Sequence, residues 1–406
     1  MTLPTWLVAA LALINLIALP YIAFLLVTTL AAILGRRRGA DAAAPIQRFL
    51  VMIPAHDEEG GIGDTVRSCL AMDYPRELFE VLVIADNCTD RTAEVARREG
   101  ATVVERFDDA KRSKGFAIEY LIDRLKGSGR FDLLDALVLV DADTVVEPTL
   151  LRSFADLVRS GGRWGQCYYT VANPDASWRT QLMTYAFALF NGVTPLGLSR
   201  LGQSVGFRGN GMCLTTEGLR RVPWTSYGLV EDMEFSWKVR LAGETIAMRP
   251  EVAVRGMMLS GGGKAAEDQR QRWESGRRDI RRRMPGQILR SKHLGWADKL
   301  ACLIEVTMPT MTALLAGMLV LFVADAATLT SPLPPALGPC LWAMCITIAL
   351  TLSLSTVAPF LCFGLPWSYA RALAYLPVYA AWKTVLALKP KPKRWVRTVR
   401  EQPAGR

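Results

Sequence analysis

The chain has 406 residues, a formal net charge of +10 and 51% hydrophobic residues, enough to bury one large domain and something smaller. Two histidines, His56 and His293, and eight cysteines without a CxxC pair argue against zinc sites and disulfide frameworks. The apolar content collects in the first 34 residues and again from 300 to 388, and much of the basic excess flanks those stretches, where anionic lipid explains it better than nucleic acid.

Residues 4 to 34, "PTWLVAALALINLIALPYIAFLLVTTLAAIL", carry no charge and exceed the roughly 20 apolar residues that cross a bilayer. A cleaved signal peptide would begin with a basic segment, whereas Arg36, Arg37 and Arg38 follow the run. A retained helix over 1–35 with its N-terminus outside is expected, which puts the following domain, 45–290, in the cytosol.

That domain opens with "FLVMIPAHDEE", residues 49 to 59, an apolar run of strand length that ends in carboxylates. The pattern recurs in "FEVLVIADNCTD", residues 79 to 90, and in "DALVLVDADT", residues 135 to 144, with helix-like segments between. Strands alternating with helices predict an α/β fold with a parallel, doubly wound sheet, whose ligands bind beyond the carboxyl ends of the strands. Asp141 and Asp143 stand two residues apart, a spacing that lets both carboxylates share a hard cation, Mg²⁺ or Mn²⁺, with a diphosphate. No GxxxxGK[ST] and no GxGxxG opening a helix occurs, which disfavours an ATPase or a dehydrogenase.

The loop "GFRGNG", residues 206 to 211, is glycine-rich, and "DQRQRWESGRRDIRRRM", residues 268 to 284, concentrates arginines around Trp273. Two transmembrane helices are expected over 298–363, one near 300 to 325 and one near 339 to 363, joined by the uncharged turn "SPLPPALGP" on the outer face. Residues 364–406 read as an interfacial or re-entrant helix, with Trp367, Tyr369, Tyr375, Tyr379 and Trp382 at head-group level, followed by a basic cytosolic tail.

From 49 to 285 the ordered set "IPAHDEE", "ADNCTD", "KRSKG", "DAD", "GFRGNG", "VED" and "QRQRW" resembles the membrane-bound family 2 inverting glycosyltransferases, which include cellulose, chitin and hyaluronan synthases and ceramide glucosyltransferases. The resemblance implies a GT-A-type, Rossmann-like nucleotide-diphospho-sugar transferase domain. It gives Asp86 to the nucleoside base, Pro54 and Glu58 to the nucleotide floor, Asp141 to the UDP-sugar donor, Asp143 to the metal, and Lys114 to the diphosphate. Asp232 resembles the general base that takes the acceptor hydroxyl's proton, with Glu231 beside it. In the QxxRW motif Arg272 suits diphosphate oxygens and Trp273 an acceptor ring. Gln269 and Arg270 complete that side, and Gly209, Asn210, Gly211 and Phe207 shape the acceptor pocket. Arg277, Arg278 and Arg281 to Arg283 are expected to face anionic head groups.

The expected activity is sugar transfer at the plasma (inner) membrane to a growing glycan in cell-surface polysaccharide synthesis, by an oligomer or with an accessory subunit. The alternative within the same fold is a single addition to a polyprenyl-linked sugar or a sphingolipid. An inactive scaffold or transporter subunit would not need intact Asp141, Asp143, Asp232 and QxxRW, and a nucleotidyltransferase would not need the ED and QxxRW pair.

Overall fold

A computed structural model describes residues 4–35, 46–328 and 337–388. The basic clusters at 36–38 and 389–400, and most of the Pro-rich turn, lie outside the described residues.

One sheet of eight strands organises the domain: β1 (Phe49–Ala55), β2 (Phe79–Asp86), β3 (Thr102–Arg106), β4 (Ala136–Leu139), β5 (Thr144–Val146), β6 (Trp164–Val171), β7 (Met212–Thr215) and β8 (Ile246–Gly256), in the order β3-β2-β1-β4-β7-β6-β8-β5. The first four are parallel, as the apolar runs predict. The rest departs from a purely parallel sheet. β7 runs against both β4 and β6, and β5 runs against β8. The reversal has a use, because an antiparallel neighbour brings the residues before β7 alongside those after β4. The Gly211 amide donates to Leu139 O at 2.9 Å, so the glycine loop and the acidic turn become adjacent.

Side chains alternate across the central strands. Leu50, Met52, Leu137 and Leu139 face one core with Ile118 and Leu121, while Val51, Ile53, Ala136 and Val138 face the other with Ile62, Val66 and Phe154. The helices that cover the sheet are α2 (Ile62–Leu70), α3 (Thr92–Arg98), α4 (Lys114–Gly127), α5 (Leu150–Arg159), α6 (Trp178–Phe187), α7 (Thr194–Arg200), α8 (Thr216–Arg221) and α9 (Glu231–Leu241), after an N-terminal α1 (Thr5–Leu34). Beyond them come α10 (Lys264–Arg290), α11 (Trp296–Thr307), α12 (Met311–Thr328), α13 (Gly338–Phe363) and α14 (Leu376–Leu388).

Among the described residues three helices are long and apolar enough to cross a membrane, Trp6–Leu34, Met311–Thr328 and Gly338–Phe363. They meet through Ile22, Leu25, Leu314, Met318 and Ile348. The expected span from 300 to 325 is broken instead at Pro309, which lacks an amide proton and steers Met308 out of the helical region. The residues before the break form α11, which carries Asp298, Lys299 and Glu305 and packs on the domain. α1 is tied to the domain at its last turn, where Arg200 donates to Ala31 O at 3.3 Å and to Ala32 O.

The stretch after α13 also differs in part from the expectation. A 3-10 helix, Trp367–Tyr375, leads into α14, which has 13 residues among those described. Several aromatic residues of this segment also make contacts within the protein. Tyr369 is buried, Tyr375 stacks on Trp178, and Arg179 lies over Trp382. Trp367 remains largely exposed, although it stacks on Phe360.

Candidate active site

The carboxyl ends of β1, β2 and β4 open onto a cavity of about 1700 Å³. Pro54, Glu58 and Asp86 line it at the ends of β1 and β2. Asp86 is buried and receives Arg106 Nη1 at 2.5 Å, while its carbonyl sits 2.7 Å from His56 Nδ1. Burial raises the Asp86 pKa, and the Arg106 guanidinium offsets this only in part. The pairing follows from strand register, since Asp86 and Arg106 stand opposite each other on β2 and β3.

Lys114 begins α4, directly after Ser113, whose hydroxyl accepts from the Phe116 amide at 3.4 Å as the helix cap. Its ammonium donates to Asp141 and, at 2.5 Å, to Gly209 O, and lies 3.8 Å from Glu231. Burial opposes that charge, but Asp141 and Glu231 outweigh it and hold the Lys114 pKa above its ordinary value. Asp141 and Asp143 both line the cavity. Two carboxylates here, with phosphate oxygens from a donor, would make up the oxygen-only set that Mg²⁺ or Mn²⁺ takes, so the residues fit such an ion.

Glu231 and Asp232 open α9, where acidic groups favour the helix N-terminus. Burial raises both pKa values; Glu231 is pushed up to about 7, lowered by Lys114 and raised again by Asp232. Glu231 shares Lys114, whereas Asp232 forms no ion pair among the described residues and faces Gly209, whose added Cβ would come within 3.2 Å of Asp232 Oδ2. Asp232 is thus the carboxylate of the two that lies beside the glycine loop without an ion-pair partner among the described residues.

Gln269, Arg270, Arg272 and Trp273 stand on the first half of α10 and line the same cavity, as the motif predicts. The guanidinium of Arg270 lies 5.1 Å from the Trp273 ring centre.

Several residues expected to shape the acceptor pocket are buried, although Phe207 still borders the cavity. Asn210 is fully buried: its Oδ1 accepts from the Asp141 amide at 3.1 Å and its Nδ2 donates to Thr144 at 2.7 Å. It positions the acidic turn. Gly211 is buried at positive φ, where a Cβ would come within 2.1 Å of Cys167 Sγ, and Phe207 stacks on Phe235 in the core with its side chain 1% exposed. Only Gly209 of the three glycine-loop acceptor residues reaches the cavity. Arg277, expected at head groups, instead lines the cavity over Phe190, and Arg281 donates to Met308 O, while Arg278, Arg282 and Arg283 are exposed.

Three features escaped the sequence: Arg106 as the partner of Asp86, Arg208 in the cavity wall, and the continuation of the cavity along α12 and α13. Arg208 lay within "GFRGNG", and its charge in an otherwise small, neutral loop was the available signal.

The solved mannosyltransferase from Pyrobaculum calidifontis in complex with GDP-Man and Mn²⁺ superposes with a TM-score of 0.51 at 17% identity over 94% of this chain and 100% of that one, which is a likeness of fold. A low-salt glycan biosynthesis hexosyltransferase of Haloferax volcanii is 33% identical over 111 residues, and the beta-monoglucosyldiacylglycerol synthase of a Synechocystis species is 25% identical over 257. Those matches cover 27% and 59% of this chain, and 24% and 49% of the relatives' own length. The family model described as glycosyltransferase like family 2 matches residues 45–276, more than half of the chain, and the chain belongs to that family.

Proposed function

We propose that this chain is a membrane-embedded, inverting, metal-dependent glycosyltransferase that moves a sugar from a nucleoside diphosphate sugar to a lipid acceptor. The observation that carries the reading is the cavity itself. From Asp86, Asp143 and Asp232 it continues without a break to Met311, Leu315, Leu319 and Val320 of α12 and Leu352 and Thr356 of α13. A growing polysaccharide needs a polar path, whereas this lining suits an acyl or prenyl chain. Of the two acceptor classes considered from the sequence, lipid is therefore favoured over polymer. The three apolar helices anchor the enzyme, and the charge after α1 puts the catalytic domain in the cytosol.

In this reading the nucleoside rests between Pro54, Glu58 and the Asp86–Arg106 pair, and Lys114 and Arg272 hold the diphosphate. Asp143, with Asp141 beside it, would hold a divalent cation, which neutralises charge on the departing diphosphate. Asp232 accepts the proton of the acceptor hydroxyl as that oxygen attacks the anomeric carbon from the face opposite the leaving group. Trp273 offers a flat surface to the sugar. The test is to incubate the purified chain in nanodiscs with Mn²⁺ and a panel of UDP- and GDP-sugars, reading product mass. One sugar added to a lipid is expected, and a ladder of sugar additions would replace this reading with a polymerase.

A further inference from the structure

Resting on the lipid-acceptor reading, we infer that the acceptor head group carries a phosphate beside the hydroxyl that receives the sugar, and that Arg208 and Arg277, supported by Arg270 and Lys383, hold it. All four cations line the cavity. The Lys383 ammonium pairs with Glu274 at 2.8 Å, while Arg208, Arg270 and Arg277 form no ion pair among the described residues. The guanidinium carbons of Arg208 and Arg277 lie 4.4 and 5.0 Å from the centre of the same Phe190 ring. Two like charges are thus gathered on one aromatic residue. Arg208 Nε is buried with no hydrogen-bond partner, and its Nη2 reaches only Phe190 O at 3.4 Å. Burial pushes the Arg208 pKa down to about 10 and lowers that of Arg277, while Glu305 and Asp232 act on Arg208, and Glu274 and Glu305 on Arg277, from beyond ion-pair distance.

Position assigns the phosphate to the acceptor. Lys114 and Arg272 already serve the donor diphosphate, and Phe190 belongs to the π-helical turn Ala188–Val193 that packs against α13. Arg277 precedes by one helical turn Arg281, whose guanidinium donates to Met308 O just before α12. Arg208 adjoins Gly209 and so lies next to Asp232. A head group between the base and the apolar helices would therefore meet these cations, and guanidinium forks suit phosphate oxygens.

The test uses the full chain in nanodiscs, the donor found active, and four acceptors: phosphatidylglycerol, a polyprenyl-diphospho-sugar, diacylglycerol and ceramide. Transfer to a phosphate-bearing lipid is expected, and which of the two accepts identifies the source. Arg277→Gln should raise the KM for that lipid by about 10-fold or more with donor affinity unchanged, and Arg277→Lys should recover part of it. Transfer to diacylglycerol or ceramide with a KM indifferent to Arg277→Gln would overturn the inference and leave the lipid reading standing. Transfer to soluble glycan alone would overturn both. Loss of donor affinity in Arg277→Gln would give the cations to the donor and also end the inference. Independently of turnover, short-chain phosphatidylglycerol should raise the thermal midpoint more than diacylglycerol does, and Arg277→Gln should abolish the difference; equal shifts in the wild-type chain count against the phosphate.

Discussion

Asp232 and Glu231 are two adjacent carboxylates distinguished by a single lysine. Glu231 is partnered by Lys114, and Asp232 is left to the acceptor. Asp232→Asn is expected to lower turnover by about 10²–10⁴-fold while isothermal titration finds donor affinity nearly unchanged; a variant that no longer binds donor would make Asp232 a donor ligand instead. Because burial raises the pKa of both carboxyls, the acid limb of the kcat/KM profile should lie above the ordinary carboxylate range. The same shift acts on stability. A carboxyl whose folded pKa is raised helps the fold most below its unfolded value and loses that help as pH rises through the folded one. The thermal midpoint of the donor-free protein should therefore decline between about pH 4.5 and 7, and Glu231→Gln should flatten the decline. Gly211 poses a steric question. With φ at +65° and a Cβ position 2.1 Å from Cys167 Sγ, Gly211→Ala should cost on the order of 2 kcal/mol in a denaturant melt.

Among the elements, the helix pair α1 and α7 decides how the catalytic domain sits on its anchor. At Gly197 an added Cβ would lie 1.9 Å from Thr28 O, so the two helices touch backbone to backbone. Gly197→Leu is expected to push them apart and to lower the thermal midpoint of the full chain; an unchanged midpoint would mean that this contact gives way freely. α10 joins the two halves of the cavity in another way. Its first turns present Gln269 to Trp273, its middle presents Arg277, and Ile280, Met284 and Ile288 bury against α9 and α11. The period of those three apolar residues is helical and readable in advance. Which arginines face inward is not, because charged residues occur on several faces of this helix and only the packing of α9, α11 and α14 selects the buried one.

For the whole molecule, α13 ends at Phe363, which packs on Tyr168 of β6, so its first residues lie at the far end from the catalytic domain. Cys340 near that end is exposed. With the domain in the cytosol, a membrane-impermeant maleimide should label Cys340 in intact cells; labelling only after lysis would invert the orientation. The cavity is also a property of the whole molecule, since its walls come from β-strand ends, from α10, and from helices more than 150 residues further along the chain than the DAD turn.

The chain's own order of residues determined the parallel half of the sheet and the acidic strand ends, which are local patterns of apolar run and turn, whereas Lys114, Asp232 and QxxRW were marked out by the resemblance of the ordered motifs to a family. Pro309 was equally local, but the hydropathy on either side hid the break it makes between α11 and α12. Tertiary structure alone decided that Asn210 serves Asp141, that Arg106 meets Asp86 across a strand register, and that Arg208 and Arg277 share Phe190. It also joined the acidic strand ends to the apolar helices in one cavity. These arrangements depend on which distant segments become neighbours, and that is set by the antiparallel insertion of β7 and by close helix contacts rather than by any residue's immediate sequence.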